Sequence, residues 1–217
     1  KRGGHGHVDL NASLQQSCDV YYYEIAERVG IEKISEMGRK LGLGVQHSLP
    51  MSAVAEGNMP TMDWKMARYG DSWKVGDTLN SGIGQGFVLA SPFQLAVMAA
   101  RLASGLALEP RLVKTVNGFE IERPVPTALD VSQTNLRVVR EGMIAVSNSS
   151  RGTGYGSRIE DDEMRMAGKS GTSQVRNITA AERARGVVNN RDLPWERRDH
   201  ALFVSYAPIE APRISCA

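Results

Sequence analysis

Residues 164–175 read MRMAGKSGTSQV, and the fold assignment starts from this stretch. We predict that it is a β-strand, and residues 201–206, ALFVSY, form a second strand candidate. Residues 176–200 lie between them and contain six arginines and four acidic residues, so we expect a solvated, mobile connection. The carboxyl-terminal part of the chain is therefore predicted to hold an antiparallel strand pair.

The amino-terminal part of the chain has the spacing of short helices. Apolar residues recur at positions i, i+3, i+4 and i+7 in residues 22–29, and residues 34–41 repeat the pattern. Gly30 and Gly42 follow these two segments, and glycine commonly ends a helix because it adopts a left-handed conformation without strain. Two consecutive helices are predicted.

The middle of the chain carries two clearer helix starts. Ser91-Pro92-Phe93-Gln94 is a capping box with proline at the first helical position, and an apolar face follows until Gly105. Ser132 is placed to cap another helix, whose apolar residues lie on one face through residue 146. Asn117-Gly118 favours a type I′ turn, because both central residues of that turn need positive φ, and predicts a small hairpin.

Residues 45–86 are rich in Gly, Pro, Asn and Asp, and we predict a long irregular excursion there. Loops of that length in compact domains are usually functional. Helices in the first half joined to antiparallel strands in the second indicate an α+β fold.

Composition excludes several classes of function. The chain has 217 residues, 41% of them hydrophobic and 23% charged, which suits one globular domain. A formal net charge of +2 is too small to suggest nucleic acid as a partner. No stretch reaches the roughly 18 apolar residues of a membrane span. Two cysteines, Cys18 and Cys216, do not form a disulfide framework.

Three short motifs could carry chemistry. They are Ser17-Cys18-Asp19, the glycine-rich run at residues 82–86, and Lys169-Ser170-Gly171-Thr172. Each occurs by chance in many proteins. Their order along the chain, however, is that of the enzymes that arrange Ser-x-x-Lys, Ser-x-Asn and Lys-Thr-Gly motifs around one cleft.

A longer series of segments resembles the elongation-type penicillin-binding protein 2 family of Gram-negative bacteria. The segments extend over nearly the whole chain, and their number and order make the resemblance specific. They are HGHVDL (5–10), SCD (17–19), GNMPT (57–61), GDT (76–78), GQG (84–86), KSGTSQV (169–175) and RDH (198–200).

The resemblance implies a fold, an activity and a location. The fold would be that of penicillin-binding proteins and serine β-lactamases, with a helical subdomain and an antiparallel sheet. The activity would be that of a peptidoglycan D,D-transpeptidase, which forms an acyl-serine with a stem peptide, transfers the acyl group to an amine, and is acylated by β-lactams. The protein would be periplasmic, anchored to the inner membrane through a segment absent from this sequence, and would contact membrane proteins of the elongation machinery.

The resemblance also implies roles for the residues of the first motif. Ser17 would relay a proton between the nucleophile and the leaving amine. Asp19 stands where many relatives carry Asn. An ionised carboxylate accepts hydrogen bonds but cannot donate them, so a contact to a substrate N–H would survive this difference while one to a carbonyl would not.

On the predicted strand, Lys169 would supply positive potential to the cleft. The hydroxyls of Ser170 and Thr172 would bind the terminal carboxylate of the donor, and Gly171 would leave room for the substrate backbone. The N–H of Thr172 would be half of the oxyanion hole. Ser173 completes the substrate-binding residues that the resemblance implies.

The sequence departs from the family at both ends. No serine is followed by lysine three residues later, so the nucleophile is expected upstream of Lys1. The family would also continue past Ala217 into a final strand and a helix. Residues 1–217 are therefore expected to be a partial transpeptidase domain, inactive by itself.

A zinc site is also implied, although the chemistry requires no cofactor. In this family zinc is held by two upstream aspartates, a histidine and a cysteine, and the last two correspond to His5 and Cys18. Imidazole and thiolate are suitable zinc ligands. The alternative is that Cys18 is an ordinary buried residue and that His5 lies in a loop.

Two other functions share these motifs. One is a sensor module that binds β-lactams or muropeptides without turnover, and deacylation kinetics would distinguish it. The other is a D,D-carboxypeptidase or serine β-lactamase, against which the long excursion matching the transpeptidases argues.

Overall fold

The computed structural model describes residues 4–52, 54–176 and 178–217. Over these residues the chain forms eight α-helices and five short β-strands. The helices are α1 (Leu10–Gln16), α2 (Asp19–Val29), α3 (Ile31–Lys40), α4 (Met62–Tyr69), α5 (Val75–Gly82), α6 (Pro92–Ser104), α7 (Gln133–Asn148) and α8 (Ala180–Arg185). The strands are β1 (Thr115–Val116), β2 (Phe119–Glu120), β3 (Ala167–Ser173), β4 (His200–Ala207) and β5 (Ile214–Cys216).

The predicted helix starts of α6 and α7 are confirmed. Ser91 Oγ accepts the N–H of Gln94 at 3.2 Å, and the Gln94 side chain accepts the N–H of Ser91 at 3.1 Å, which completes the capping box. Ser132 Oγ accepts the N–H of Asn135 at 3.2 Å. Gly105 ends α6 with φ 72°, a left-handed conformation.

The irregular excursion predicted for residues 45–86 is wrong in its second half, where α4 and α5 form. Thr61 caps α4, accepting the Trp64 N–H at 3.1 Å. Lys65 on α4 then donates to Asp77 on α5 at 2.7 Å, which ties the two helices together. Several residues that indicated a loop have other roles in the structure: Gly70 and Gly82 lie at the ends of α4 and α5, and Asp77 forms this ion pair.

The antiparallel sheet is confirmed and contains one strand more than the sequence predicted. β3 pairs with β4, with Lys169 opposite Val204 and Thr172 opposite Ala201. β5 pairs with the other edge of β4, so the strand order is β3-β4-β5. Only three residues form β5, which is too few for a period-2 pattern to be recognised.

Helices α6 and α7 cover one face of this sheet. Met143 of α7, Ala167 of β3 and Tyr206 of β4 form a buried apolar cluster, against which side chains of α6 also pack. The free edge of β3 is thereby held at the boundary between the sheet and the helical part of the chain. The α+β class is confirmed.

Two smaller predictions concerned a hairpin and the charged connection before β4. The hairpin at β1 and β2 is confirmed, with φ 51° at Asn117 and 85° at Gly118. The charged connection between β3 and β4 contains α8, which Thr179 caps by accepting the Glu182 N–H at 3.2 Å. No helix among the described residues is long and apolar enough to cross a membrane.

Candidate active site

Ser17 lies at the carboxyl end of α1 in a left-handed conformation, with φ 54° and ψ 61°. Apart from Asn117, it is the one non-glycine residue with positive φ within the described ranges. Such a conformation costs a residue with a side chain about 1 kcal/mol or more. Backbone hydrogen bonds from Ser17 to Leu14 at 3.3 Å and from Cys18 to Ser13 at 2.9 Å hold it in place.

Lys169 reaches Ser17 from the middle of β3, across 152 residues of sequence. Its Nζ donates to Ser17 Oγ at 2.8 Å and to the carbonyl of Ser170 at 2.7 Å. Gly168 lies against the ring of Phe203, and a Cβ added at residue 168 would come within 2.6 Å of that ring. The absence of a side chain at residue 168 therefore lets β3 lie close to β4 at this point. The two motifs thus converge as the sequence predicted.

The pKa of Lys169 is below the ordinary lysine value of 10.5, because burial disfavours the charged ammonium. The carboxylate of Asp19 opposes this shift. A lysine with a lowered pKa releases a proton more readily than an ordinary lysine. The contact between Lys169 Nζ and Ser17 Oγ can therefore act as a short proton relay.

These residues open into one cleft of about 860 Å³. Of the predicted site residues, Ser17, Asp19, Lys169, Ser170, Gly171 and Thr172 line it. Ser173, the last residue of β3, is not among the lining residues, and its substrate contact stays a prediction. The lining also includes Tyr22, Tyr23, Asn80, Gln85, Gln174, Arg183 and Asp199, which the sequence analysis did not assign to the site.

The backbone of β3 presents hydrogen-bonding groups to this cleft. Gln85 Nε2 donates to the carbonyl of Thr172 at 2.5 Å from the helical side of the cleft. Within an extended strand, the N–H and C=O of one residue point to the same edge. The N–H of Thr172 therefore points toward the cleft as well, where an oxyanion hole would need it.

Thr153 is a further site residue that the sequence analysis missed. Its Oγ1 lies 2.7 Å from Ser170 Oγ, and its N–H donates to the carbonyl of Gln15 at 3.1 Å. It therefore links β3 to the end of α1, directly before Ser17. The glycine-rich turn at residues 151–154 was the available signal, but a turn pattern does not show which elements it joins.

His5 and Cys18 line a second cavity of about 730 Å³, next to the cleft. Cys18 is buried and free, and His5 is partly exposed. Ser17 and Asp19 border both cavities. The described part of the chain holds no cluster of three or more His, Cys, Asp or Glu side chains that could bind a metal.

Comparison with known proteins identifies this arrangement. Residues 1–217 match the family model of the penicillin binding protein transpeptidase domain. The chain is similar to the peptidoglycan D,D-transpeptidase MrdA of Haemophilus influenzae, at 35% identity over 99% of this chain and 33% of the relative. The Escherichia coli K12 protein of the same name is 30% identical over 100% of this chain and 34% of the relative.

Solved structures agree with this assignment. Penicillin-binding protein PBP2 of Helicobacter pylori, in complex with MreC, matches with a TM-score of 0.81 at 29% identity over 99% of this chain and 36% of that one. PBP2 of Pseudomonas aeruginosa, in complex with WCK 5153, matches with a TM-score of 0.79 at 35% identity over 99% and 43%. The chain spans about a third of the length of the curated relatives it matches. The chain belongs to the penicillin-binding protein transpeptidase domain family.

Proposed function

We propose that this chain is part of a peptidoglycan D,D-transpeptidase whose nucleophilic serine lies upstream, in a Ser-x-x-Lys segment. The observation that carries the proposal is the 2.8 Å contact between Lys169 Nζ and Ser17 Oγ beside the free edge of β3. The remainder of the domain, including a final strand and a helix, would follow Ala217. No serine within residues 1–217 is followed by lysine three residues later, which is why the proposal places the nucleophile upstream.

The first half-reaction forms an acyl-enzyme. The upstream serine oxygen bonds to the carbonyl carbon of the penultimate D-Ala, and the amide C–N bond breaks. The proton lost by that serine hydroxyl is returned through Lys169 and Ser17 to the departing nitrogen, so that D-alanine leaves as a free amine. The N–H of Thr172 stabilises the oxyanion, and losing such a donor typically costs about 10²–10³ in rate.

In the second half-reaction an amine of another stem peptide attacks the ester. A new amide forms and the serine regains its proton through the same relay. Before the first half-reaction, while the terminal D-Ala is still attached, Ser170 and Thr172 would hold the terminal carboxylate of the donor through their hydroxyls, and Gly171 would let the substrate backbone approach β3. A β-lactam would enter the same position and acylate the same serine.

A structural zinc ion fits the second cavity in part. His5 and Cys18 line it together, and their donor atoms are suited to zinc. Two further ligands would come from residues upstream of Lys1. These side chains would then fix the start of α2 next to Ser17, and the ion would take no part in acyl transfer.

The location and partners of the protein are proposed from its relatives. A peptidoglycan cross-linking enzyme acts in the periplasm, and an upstream segment would anchor it to the inner membrane. The Helicobacter pylori relative forms a complex with MreC. We expect this protein to contact membrane proteins of the elongation machinery in the same manner.

Product analysis tests the proposed reaction. The longer protein would be incubated with a peptide ending in D-Ala-D-Ala and an amine acceptor, followed by mass spectrometry. We expect released D-alanine and a product in which the acceptor is joined by a new amide bond. Penicillin labelling without product would indicate a sensor module, and hydrolysis of the donor or of penicillin without amide formation would indicate a carboxypeptidase or β-lactamase.

A further inference from the structure

Helix α8 is fixed against the carboxyl end of β3. Arg176 lies three residues beyond Ser173, and its largely buried guanidinium donates to Glu182 at 2.6 Å. Glu182 also accepts the backbone N–H of Thr179 at 2.9 Å. These hydrogen bonds hold the pKa of Glu182 below its usual value, with the Thr179 N–H as the largest cause. The Glu182 carboxylate is therefore occupied by hydrogen bonds from Arg176 and from the start of α8.

Arg183, the next residue, lines the cleft. It lines the cavity together with Thr172 and Gln174, and it is exposed. Within the described ranges, no carboxylate lies within 4.0 Å of its guanidinium. Arg185 lies on the same helix and is also exposed, but it does not line the cleft.

The other charged groups of the cleft leave Arg183 available. The cavity is lined by two cations, Lys169 and Arg183, and two carboxylates, Asp19 and Asp199. Asp199 accepts the backbone N–H of Val175 at 3.2 Å. Lys169 is engaged with Ser17. An arginine facing a cleft in this way can bind a carboxylate of a ligand through two parallel N–H donors.

The position of Arg183 shows which part of a stem peptide it would meet. Along β3, Ser170 would hold the terminal carboxylate of the donor and the N–H of Thr172 would meet the reacting carbonyl. Gln174, which lines the cleft together with Arg183, lies two residues beyond Thr172 in the opposite direction, just past the end of β3. A donor ending in D-Ala-D-Ala continues only one residue beyond the reacting carbonyl. The far end of the cleft must therefore face the amino-terminal, acyl side of the peptide.

We propose that Arg183 forms a carboxylate subsite for the stem peptide, on the amino-terminal side of D-Ala-D-Ala. This subsite rests on the proposed function, because it assumes that the peptide lies along β3. It makes Arg183 a specificity-determining residue: donors with a free carboxylate at this position are preferred over the corresponding amides.

A matched pair of penicillins tests the subsite in the longer protein. Their acyl side chains would mimic the upstream peptide and end either in a free carboxylate or in its primary amide. We expect Arg183→Gln to lower the second-order acylation rate constant of the carboxylate probe by about tenfold, the size expected for one exposed charge-assisted contact, and to leave the amide probe unchanged. Arg183→Lys would retain part of the preference, and the control Arg185→Gln would leave both rates unchanged.

The outcomes separate the subsite from the reaction itself. Equal acylation by both probes in the wild-type protein, or an equal loss with both probes in Arg183→Gln, would overturn the subsite while the transpeptidase proposal stands. Absence of acylation by either probe in the wild-type protein would overturn both. A folded variant is recognised by unchanged labelling with the amide probe.

Discussion

At the scale of single residues, the site combines a strained serine with a buried lysine. Ser17 adopts a conformation that glycine would adopt more easily, and Lys169 is held where its charge is disfavoured. Both features lower the stability of the native state. Costs of this kind are common at functional sites, where they place reactive atoms in a fixed geometry.

The strain at Ser17 predicts a difference between two inactive variants. Ser17→Ala and Ser17→Gly both remove the hydroxyl that Lys169 contacts, so each should lower penicillin acylation of the longer protein by about 10²–10⁴. Ser17→Gly should nevertheless be about 1 kcal/mol more stable than Ser17→Ala, because glycine tolerates φ 54°. Urea unfolding of both variants measures the difference, and equal stabilities would show that position 17 is unstrained.

The lowered pKa of Lys169 predicts a pH-dependent gain in stability for Lys169→Met. The native lysine loses its proton at a lower pH than the unfolded chain, so the wild-type free energy of unfolding rises with pH until about 10.5. The methionine variant has no buried ammonium group to desolvate, so it should be more stable than the wild type at pH 7, while losing acylation. Denaturant titrations from pH 7 upward should show the difference shrinking as the pH approaches 10.5. A variant less stable than the wild type at pH 7 would contradict this assignment.

At the scale of elements, the packing of α2 against α5 positions Ser17 and Asp19. Gly82, at the end of α5, lies so close to Ala26 of α2 that a Cβ at residue 82 would overlap the Ala26 side chain. α2 begins at Asp19, two residues after Ser17. A change in this helix contact is therefore transmitted directly to the cleft.

Two glycines of α5 should respond oppositely to the same substitution. Gly82→Ala should destabilise the protein by about 1–3 kcal/mol through overpacking against Ala26. Gly76→Ala, where no atom lies within 4 Å of the added Cβ, should stabilise it by about 0.4–1 kcal/mol. Thermal and urea unfolding of both variants provide the comparison, and a Gly82→Ala protein as stable as the wild type would refute the close helix contact.

Element prediction from the sequence succeeded where the local signal was strong. The Ser91 capping box, the Ser132 cap and the Asn117-Gly118 turn are local patterns, and each formed as expected. α4 and α5 were missed because Lys65 and Asp77, whose ion pair joins them, are twelve residues apart and carry no periodic signal. β5 was missed because its short strand is defined by pairing with β4.

At the scale of the whole molecule, motif order indicated which residues converge, but the fold was needed to identify their neighbours. Ser17 and Lys169 could be paired through the resemblance of their motifs to those of a known family. Gln85 lies in the glycine-rich run at residues 82–86, to which the sequence analysis gave no role, while Thr153 and Arg183 belong to no such motif. Only the approach of the segment after α5, the turn after α7 and α8 to β3 brings these three residues to the cleft. Long-range contacts of this kind leave no pattern in a single sequence.

The central claim is that Ser17, Lys169 and β3 form one cleft that receives a serine from polypeptide upstream of Lys1. Its most direct test is to label the longer protein with penicillin, digest it and locate the adduct by mass spectrometry, with the 217-residue chain treated in parallel. We predict one adduct, on the serine of an upstream Ser-x-x-Lys segment, and no adduct on the 217-residue chain. An adduct on any serine within residues 1–217, or none on the longer protein, would contradict the account.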